Sequence, residues 1–156
     1  MGLDMYLYRR EYVGGWDWKQ DNANERDMYN SIIEYMGAER CEGSPHANIE
    51  VCVAYWRKAN AIHKWFCDLD GGRDECQDIY VTKDNLIELR DMCAAILREP
   101  AMAASTLPTQ AGFFFGSYDY DDWYMEDMKN TVNQLDKVLA SVEDKDYADF
   151  IYRASW

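Results

Sequence analysis

The chain has 156 residues, of which 48% are hydrophobic and 15% aromatic. This content suits a single globular domain over residues 1–156 and argues against a two-domain enzyme. Its 16 basic and 29 acidic residues give a formal net charge of -13, which disfavours long nucleic acid as a directly bound partner. Residues 1–66 are nearly neutral, with 8 basic and 10 acidic side chains, whereas residues 67–156 carry 8 and 19. We therefore expect any anion site in the first half.

The N-terminus has neither the basic start nor the apolar run of a signal peptide, and no stretch has the length needed to span a bilayer. We therefore expect a cytoplasmic protein without a membrane partner. Its five cysteines lie at irregular spacings and form no Cys-x-x-Cys pair. This pattern indicates neither a disulfide framework nor a thiolate zinc site, and it fits reduced thiols in a cytosol.

The first half of the chain alternates strand and loop patterns. Alternating apolar and polar residues predict a strand over residues 3–13, and turn-forming residues predict a loop over residues 14–25. Residues 27–36 fit either a helix or a strand. Residues 49–53 alternate again, and residues 54–66 carry apolar side chains at helical spacing. We therefore expect a short strand that leads directly into a helix.

The second half carries the clearest helix signals. One helix is predicted from its N-cap Thr82 to about Pro100, and another from a cap at Ser117 or Asp119 to about Val142. Short apolar runs predict strands over residues 79–81, 112–116 and 147–156. This order of elements predicts an α+β domain with a mixed or mostly antiparallel sheet and about three packed helices.

Three segments of the chain carry a resemblance. They are the opening MGLDMYL, the twelve-residue block YWRKANAIHKWF over residues 55–66, and GFFFGS over residues 112–117; the closing YRASW is also similar. On these segments the chain resembles an uncharacterised family of small proteins from bacteriophages and prophages. The resemblance implies a phage origin and a location in the cytoplasm of the bacterial host. It implies no activity.

The block over residues 55–66 carries the first candidate ligand-binding residues. A helix here would place Arg57, Asn60 and Lys64 on one side, with Trp56, His63 and Trp65 on its flanks. Guanidinium and ammonium groups bind phosphate, an amide reads a base edge, and indoles stack on bases. This set predicts a small anionic, aromatic ligand such as a nucleotide. The alternative is a solvated helix face whose tryptophans pack on the sheet.

The second candidate element is the acidic, aromatic segment over residues 117–127. Its proposed ligand-binding residues are Ser117, Asp119, Tyr120 and Trp123. The aromatic rings would wall a pocket, and the aspartates would favour a hydroxyl, a ribose or an amine over a bare phosphate. The alternative is electrostatic, because acids near a helix N-terminus complement the helix dipole.

His63 is the residue we would choose as an acid or base if the protein is an enzyme. It lies four residues before Cys67, a spacing that allows two side chains of a helix to share a metal ion, but the sequence selects no further ligands. We therefore expect no metal and no cofactor. The alternative for His63 is a packed or surface histidine without a chemical role.

Three functions remain open. The first is a phage-encoded binding protein, a counter-defence factor that sequesters a nucleotide-like host signal. The second is an acidic module that mimics nucleic acid and occupies a basic host protein; its contact residues would be Asp119, Asp121, Asp122, Glu126 and Asp127. The third is a small enzyme that processes a nucleotide or phosphoester through His63. The many aromatic residues also leave a homo-oligomer open.

Overall fold

The computed structural model describes residues 2–18, 23–112, 115–145 and 148–156. Its strands and helices are β1 (Asp4–Gly14), α1 (Ala23–Met36), β2 (His46–Arg57), α2 (Asn60–Leu69), β3 (Ile79–Val81), α3 (Lys83–Arg98), α4 (Ala103–Thr106), α5 (Asp122–Ala140) and β4 (Asp149–Ser155). The strands form one antiparallel sheet in the order β2-β1-β4-β3. The predicted α+β class is confirmed. Within the described ranges, no helix is both long and apolar enough to cross a membrane.

The chain divides into two compact units, residues 1–9 with 52–156, and residues 10–51. In the smaller unit, residues 27–36 are helical, which resolves the ambiguity of their sequence. The ring of Tyr29 is buried, and a Cβ atom on Gly15 would lie 2.2 Å from it. Only glycine therefore fits at this approach of backbone to ring. Gly15 N–H also donates to the carbonyl of Pro45 at 2.8 Å.

The core of the larger unit lies between the sheet and the long helices α2, α3 and α5. The side chains of Leu3, just before β1, and of Met5 and Leu7 within it are fully buried, as the alternation of apolar and polar residues predicts. The short strand β3 pairs antiparallel with β4, so that Ile79 lies opposite Tyr152. These pairings confirm the strands predicted at residues 79–81 and at the C-terminal end.

Helices α3 and α5 follow the sequence patterns closely, apart from one cap. Thr82 caps α3, and its hydroxyl accepts the N–H of Asn85 while the Asn85 side chain accepts the N–H of Thr82. The cap of α5 is Asp121, which accepts the N–H of Tyr124 at 3.0 Å. The prediction of Ser117 or Asp119 as this cap was wrong. All of these residues are good caps, so the position at which the chain turns decides which one is used.

The strand predicted over residues 112–116 is not present in the described part of this segment. Phe113 and Phe114 lie outside the described residues. On either side of them, the N–H of Phe115 donates to the carbonyl of Gly112 at 3.2 Å, and Gly116 has a positive φ of 85°. Phe115 is buried. The apolar run therefore indicated burial correctly, but its described flanks form a turn.

Candidate functional site

The block over residues 55–66 divides between a strand and a helix. β2 continues to Arg57, and α2 begins only at Asn60, so the helix predicted to start at residue 54 was wrong in its first turn. In β2, Ala54 and Trp56 are buried while the residues between and after them are exposed. This alternation is the mark of a strand with one buried face. The helical spacing of the block holds only from residue 59 onward.

A sharp turn at Lys58 joins β2 to α2. Lys58 has a positive φ of 60°, which is costly for a residue with a side chain. Its N–H donates to the carbonyl of Leu3, and its own carbonyl accepts the N–H of Asn60. The turn therefore starts α2 immediately after the strand and without a side-chain cap.

The first turn of α2 and the start of α5 border one cavity of about 520 Å³, which we call the α2–α5 cavity. Its lining residues are Arg57, Lys58, Ala59, Asn60, Ala61, Ile62, Thr109, Gly116, Ser117, Asp119, Asp121, Trp123, Tyr124, Asp127 and Met128. All of them belong to the larger unit. Both segments that the sequence singled out thus contribute to the same cavity. Its volume lies within the range of small-molecule sites, roughly 300–1,000 Å³.

The part of the α2–α5 cavity lining that residues 57–62 supply is rich in hydrogen-bond donors and positive charge. The N–H groups of Ala61 and Ile62 have no hydrogen-bond acceptor in the described part of the chain. The ammonium of Lys58 has no ion-pair partner there either. Arg57 is largely exposed and lies 3.9 Å from Asp4. Free helix N–H groups beside two cations form an environment that favours an anion.

The part of the α2–α5 cavity lining that residues 117–128 supply is acidic. Asp119, Asp121 and Asp127 line it, and no described group donates a hydrogen bond to the carboxylate of Asp127. Burial, and after it the charges of Asp121 and Glu126, raise the pKa of Asp127 to about 7. Near neutral pH this carboxyl therefore exists in both forms and can donate or accept a hydrogen bond.

Asn60 holds the loop before α5 against the start of α2. Its amide nitrogen donates to the carbonyls of Phe115 at 3.0 Å and Ser117 at 2.7 Å, and its oxygen accepts the N–H of Gln110 at 3.1 Å. It is 4% exposed. The amide is thus used inside the protein, where it fixes the wall of the cavity, although the sequence predicted that it would face a ligand.

The lining of the cavity is also partly aromatic. Trp123 lines the cavity and is 78% exposed, so one face of its indole is available to a planar ligand. Tyr124 is buried, and its hydroxyl donates to the carbonyl of Leu107 at 2.8 Å. Ser117 lines the cavity too, and its hydroxyl accepts the N–H of Asp119.

The remaining candidate residues do not line the α2–α5 cavity. Trp56 is 1% exposed, and its Nε1–H donates to the hydroxyl of Thr131 at 2.9 Å. Lys64 pairs with Asp68 on the same helix, and Trp65 packs edge-on against Phe66. Tyr120 packs edge-on against Tyr124, and His63 contacts the hydroxyl of Tyr152. For Trp56 and Trp65 the structure thus favours the packing alternative.

The acidic segment does not form one continuous exposed surface. Asp119, Asp122 and Glu126 are exposed, but Asp121 caps α5 and Asp127 is partly buried against the cavity. The alternative in which these acids offset the helix dipole holds for Asp121, whose carboxylate accepts a helix N–H. A protein that mimics nucleic acid would need its charges on one accessible face.

His63 belongs to a separate, buried group that we call the His63 cluster: His63, Cys67 and Asp74. Nε2 of His63 lies 3.0 Å from Oδ1 of Asp74 and 3.6 Å from Sγ of Cys67, and Nδ1 lies 2.7 Å from the hydroxyl of Tyr152. Burial lowers the pKa of His63, and Asp74 opposes this by raising it. Burial raises the pKa of Cys67 to about 12, so its thiol is a poor nucleophile.

Sequence reasoning missed several residues of both sites. Lys58 was overlooked because its turn interrupts what looks like one helix. Asp127 was assigned only to an acidic surface, although its spacing of four from Trp123 was a usable signal that the two share a helix face. Asp74 follows α2 in a loop, and no periodicity connects such a residue to His63.

Comparisons of the chain with protein-family models, with curated proteins and with solved structures give no match. What the protein does is therefore inferred from two features of its own structure. The α2–α5 cavity has space and both positive and negative charges in its lining. The His63 cluster is buried and has three potential metal ligands.

Proposed function

We propose that the protein binds a small nucleotide-like ligand in the α2–α5 cavity. The observation that carries this proposal is the composition of the cavity lining: free helix N–H groups and two cations from residues 57–62, and an exposed indole and three aspartates from residues 119–127. A ligand that fits all three has an anionic group, a planar ring and hydroxyl or amino groups. Nucleotides combine these features.

The proposed orientation follows from charge. The phosphate lies at the N–H groups of Ala61 and Ile62, near the side chains of Arg57 and Lys58, because these residues offer hydrogen-bond donors and positive charge. The base stacks on Trp123, an interaction worth about 1–3 kcal/mol. Ribose hydroxyls or exocyclic amines lie toward Asp127, whose carboxyl accepts their hydrogen bonds. The aspartates would repel a phosphate placed next to them.

We further propose that the protein sequesters its ligand without converting it. His63, the residue that the sequence selects for acid–base chemistry, does not line the cavity. A role in counter-defence, in which a phage protein removes a nucleotide-like host signal, is the biological form of this proposal and depends on the resemblance to phage proteins. The position of Asp121 and Asp127 at the cavity argues for a small ligand over a basic host protein.

The proposal is tested by titration calorimetry of the full chain against a panel of nucleotides and cyclic dinucleotides. We expect binding that the substitution Arg57→Ala or Lys58→Ala weakens by about 10- to 100-fold, the equivalent of one charge-assisted hydrogen bond. The matched controls are Arg98→Ala and Lys129→Ala, which remove exposed cations that do not line the cavity. Absence of heat with every compound would contradict the proposal.

Mass spectrometry of the ligand separates sequestration from catalysis. The protein is incubated with the bound compound and then denatured, and we expect the compound to be released unchanged. An altered product would replace sequestration by an enzymatic function. In that case Asp127, whose pKa is about 7, would be the acid–base group to test, because such a pKa suits proton transfer near neutral pH.

A further inference from the structure

We propose that the His63 cluster is a zinc site in which His63 Nε2, Cys67 Sγ and Asp74 Oδ1 are ligands and Cys76 provides the fourth. The three ligand atoms all lie within 4.8 Å of one another. His63 and Cys67 are 1% and 3% exposed, and the side chain of Asp74 is 20% exposed. The site does not overlap the α2–α5 cavity and does not depend on the ligand proposed there.

The ligand atoms lie close enough to meet at one ion after a movement of Cys67. Zinc lies about 2.3 Å from a thiolate sulfur and about 2.0–2.1 Å from a histidine nitrogen, so a tetrahedral angle places sulfur and nitrogen about 3.6 Å apart. Cys67 Sγ lies 3.6 Å from Nε2 of His63 and 3.9 Å from Nδ1, so the sulfur lies beside the ring and moves toward the Nε2 lone pair when it binds the ion. Asp74 Oδ1, at 3.0 Å from Nε2, needs only a small outward movement to make room for the ion.

Local structure explains why these three residues meet. His63 and Cys67 lie one turn apart on α2, so their side chains share a face. The helix ends at Leu69, and Gly71 and Gly72 follow with φ values of 69° and 80°. This glycine turn reverses the chain, and Asp74 returns to the side of α2 that carries His63.

Tyr152 supports the proposed site from the second side of the imidazole. Its hydroxyl lies 2.7 Å from Nδ1 of His63, so Nδ1–H can donate to the hydroxyl while Nε2 faces Asp74 Oδ1 at 3.0 Å. Metal-binding histidines almost always donate their other N–H group in this way, which fixes the tautomer. Phe115 and Trp156 pack edge-on against the same ring and shield the cluster from solvent.

We assign Cys76 as the fourth ligand because it lines the same small cavity of about 10 Å³ as His63, Cys67 and Asp74. This volume is close to that of one water-sized sphere, and an ion needs no more. The side chain of Cys76 is exposed and its thiol is outside the group of three close ligand atoms, so it turns inward when the ion binds. Cys76 has a positive φ of 56°, a costly conformation for cysteine that persists where the surroundings impose it. Two thiolates, an imidazole and a carboxylate select zinc over magnesium or calcium, which prefer oxygen ligands.

The experiment uses the full chain, stripped of metal with a chelator and titrated with Zn²⁺ and with Co²⁺ as a spectroscopic substitute. We expect one ion per chain, the visible bands of tetrahedral Co²⁺, a sulfur-to-cobalt charge-transfer band and a Zn²⁺-dependent rise in Tm. Cys67→Ser and Asp74→Asn should each lower the Zn²⁺ affinity by at least about 100-fold. The matched controls, Cys41→Ala and Asp68→Asn, should bind Zn²⁺ like the unmodified chain.

The outcomes are distinct. Failure of the unmodified chain to bind Zn²⁺ overturns the proposal, as does unchanged affinity in Asp74→Asn. Because Asp74 lies in a partly exposed loop, misfolding is a poor explanation for a loss of affinity in this variant. Circular dichroism verifies the fold of each variant. Cys76→Ser should reduce the charge-transfer band by about half, because one of two thiolates is lost; an unchanged band overturns Cys76 as the fourth ligand.

Discussion

The ionisation of Asp127 makes the stability of this protein depend on pH. The pKa of its carboxyl is raised from an ordinary 3.8 to about 7, chiefly by burial and then by the charges of Asp121 and Glu126. The unfolded chain releases this proton near pH 4, whereas the folded chain retains it to about pH 7. The free energy of unfolding therefore falls as the pH rises between these values. Above pH 7 the folded protein carries the full free-energy cost of an ionised Asp127.

The size of the penalty follows from the difference in pKa. A rise from 3.8 to about 7 corresponds to about 4 kcal/mol at pH 8 and to about 1 kcal/mol at pH 4.5. Because the carboxyl is partly open to the cavity, water reduces these figures, and we take half of them. Asn has the shape of a protonated Asp and no charge. We therefore expect Asp127→Asn to be more stable than the unmodified chain, by about 2 kcal/mol at pH 8 and less than about 1 kcal/mol at pH 4.5.

Urea denaturation of both chains at the two pH values, followed by circular dichroism, measures this difference. Asp122→Asn is the matched control, because Asp122 is an exposed carboxylate in the first turn of the same helix. It should lose a few tenths of a kcal/mol at pH 8, the opposite sign, since an acid in the first turn stabilises a helix. A gain for Asp127→Asn that is equal at both pH values would refute the reasoning, because only a titrating group gives a pH-dependent gain.

Two further substitutions test the structure around the cavity. Lys58→Gly should raise stability by about 0.5–1 kcal/mol, because glycine adopts a positive φ without steric cost, while it weakens nucleotide binding; thermal denaturation and calorimetry on the same sample measure these opposite changes. Asn60→Ala should lower stability by about 2–3 kcal/mol, because it leaves two carbonyls and one N–H without their partner. Hydrogen exchange should then be faster at Gln110, and an unchanged rate there would contradict the role of Asn60.

The sequence predicted the sheet and the long helices because periodicity reports which face of an element is buried. Leu3, Met5 and Leu7 alternate, and Thr82 is followed by a helical apolar stripe; both patterns survive in the structure. The boundary between β2 and α2 was predicted too early, at residue 54, because the apolar residues on its two sides continue one helical spacing. Only the backbone conformation of Lys58 separates them, and no pattern of side chains indicates it.

The sites were predictable in part. Arg57, Ser117, Asp119 and Trp123 were chosen for their chemistry and all line the α2–α5 cavity. Asn60 was chosen as well, but its amide is occupied by the chain itself. Contacts across long sequence separations, such as that of His63 with Tyr152, depend on the sheet order and are not encoded in any local spacing.

The three hydrogen bonds of Asn60 also bear on the thermodynamics of association. They anchor the first turn of α2 to the loop before α5, so the N–H groups of Ala61 and Ile62 already point into the cavity in the free protein. A ligand that meets such pre-organised donors pays little entropy for ordering its site. The ligand then binds to a pre-formed site, and its association rate is set by diffusion and orientation and not by a conformational change of the protein.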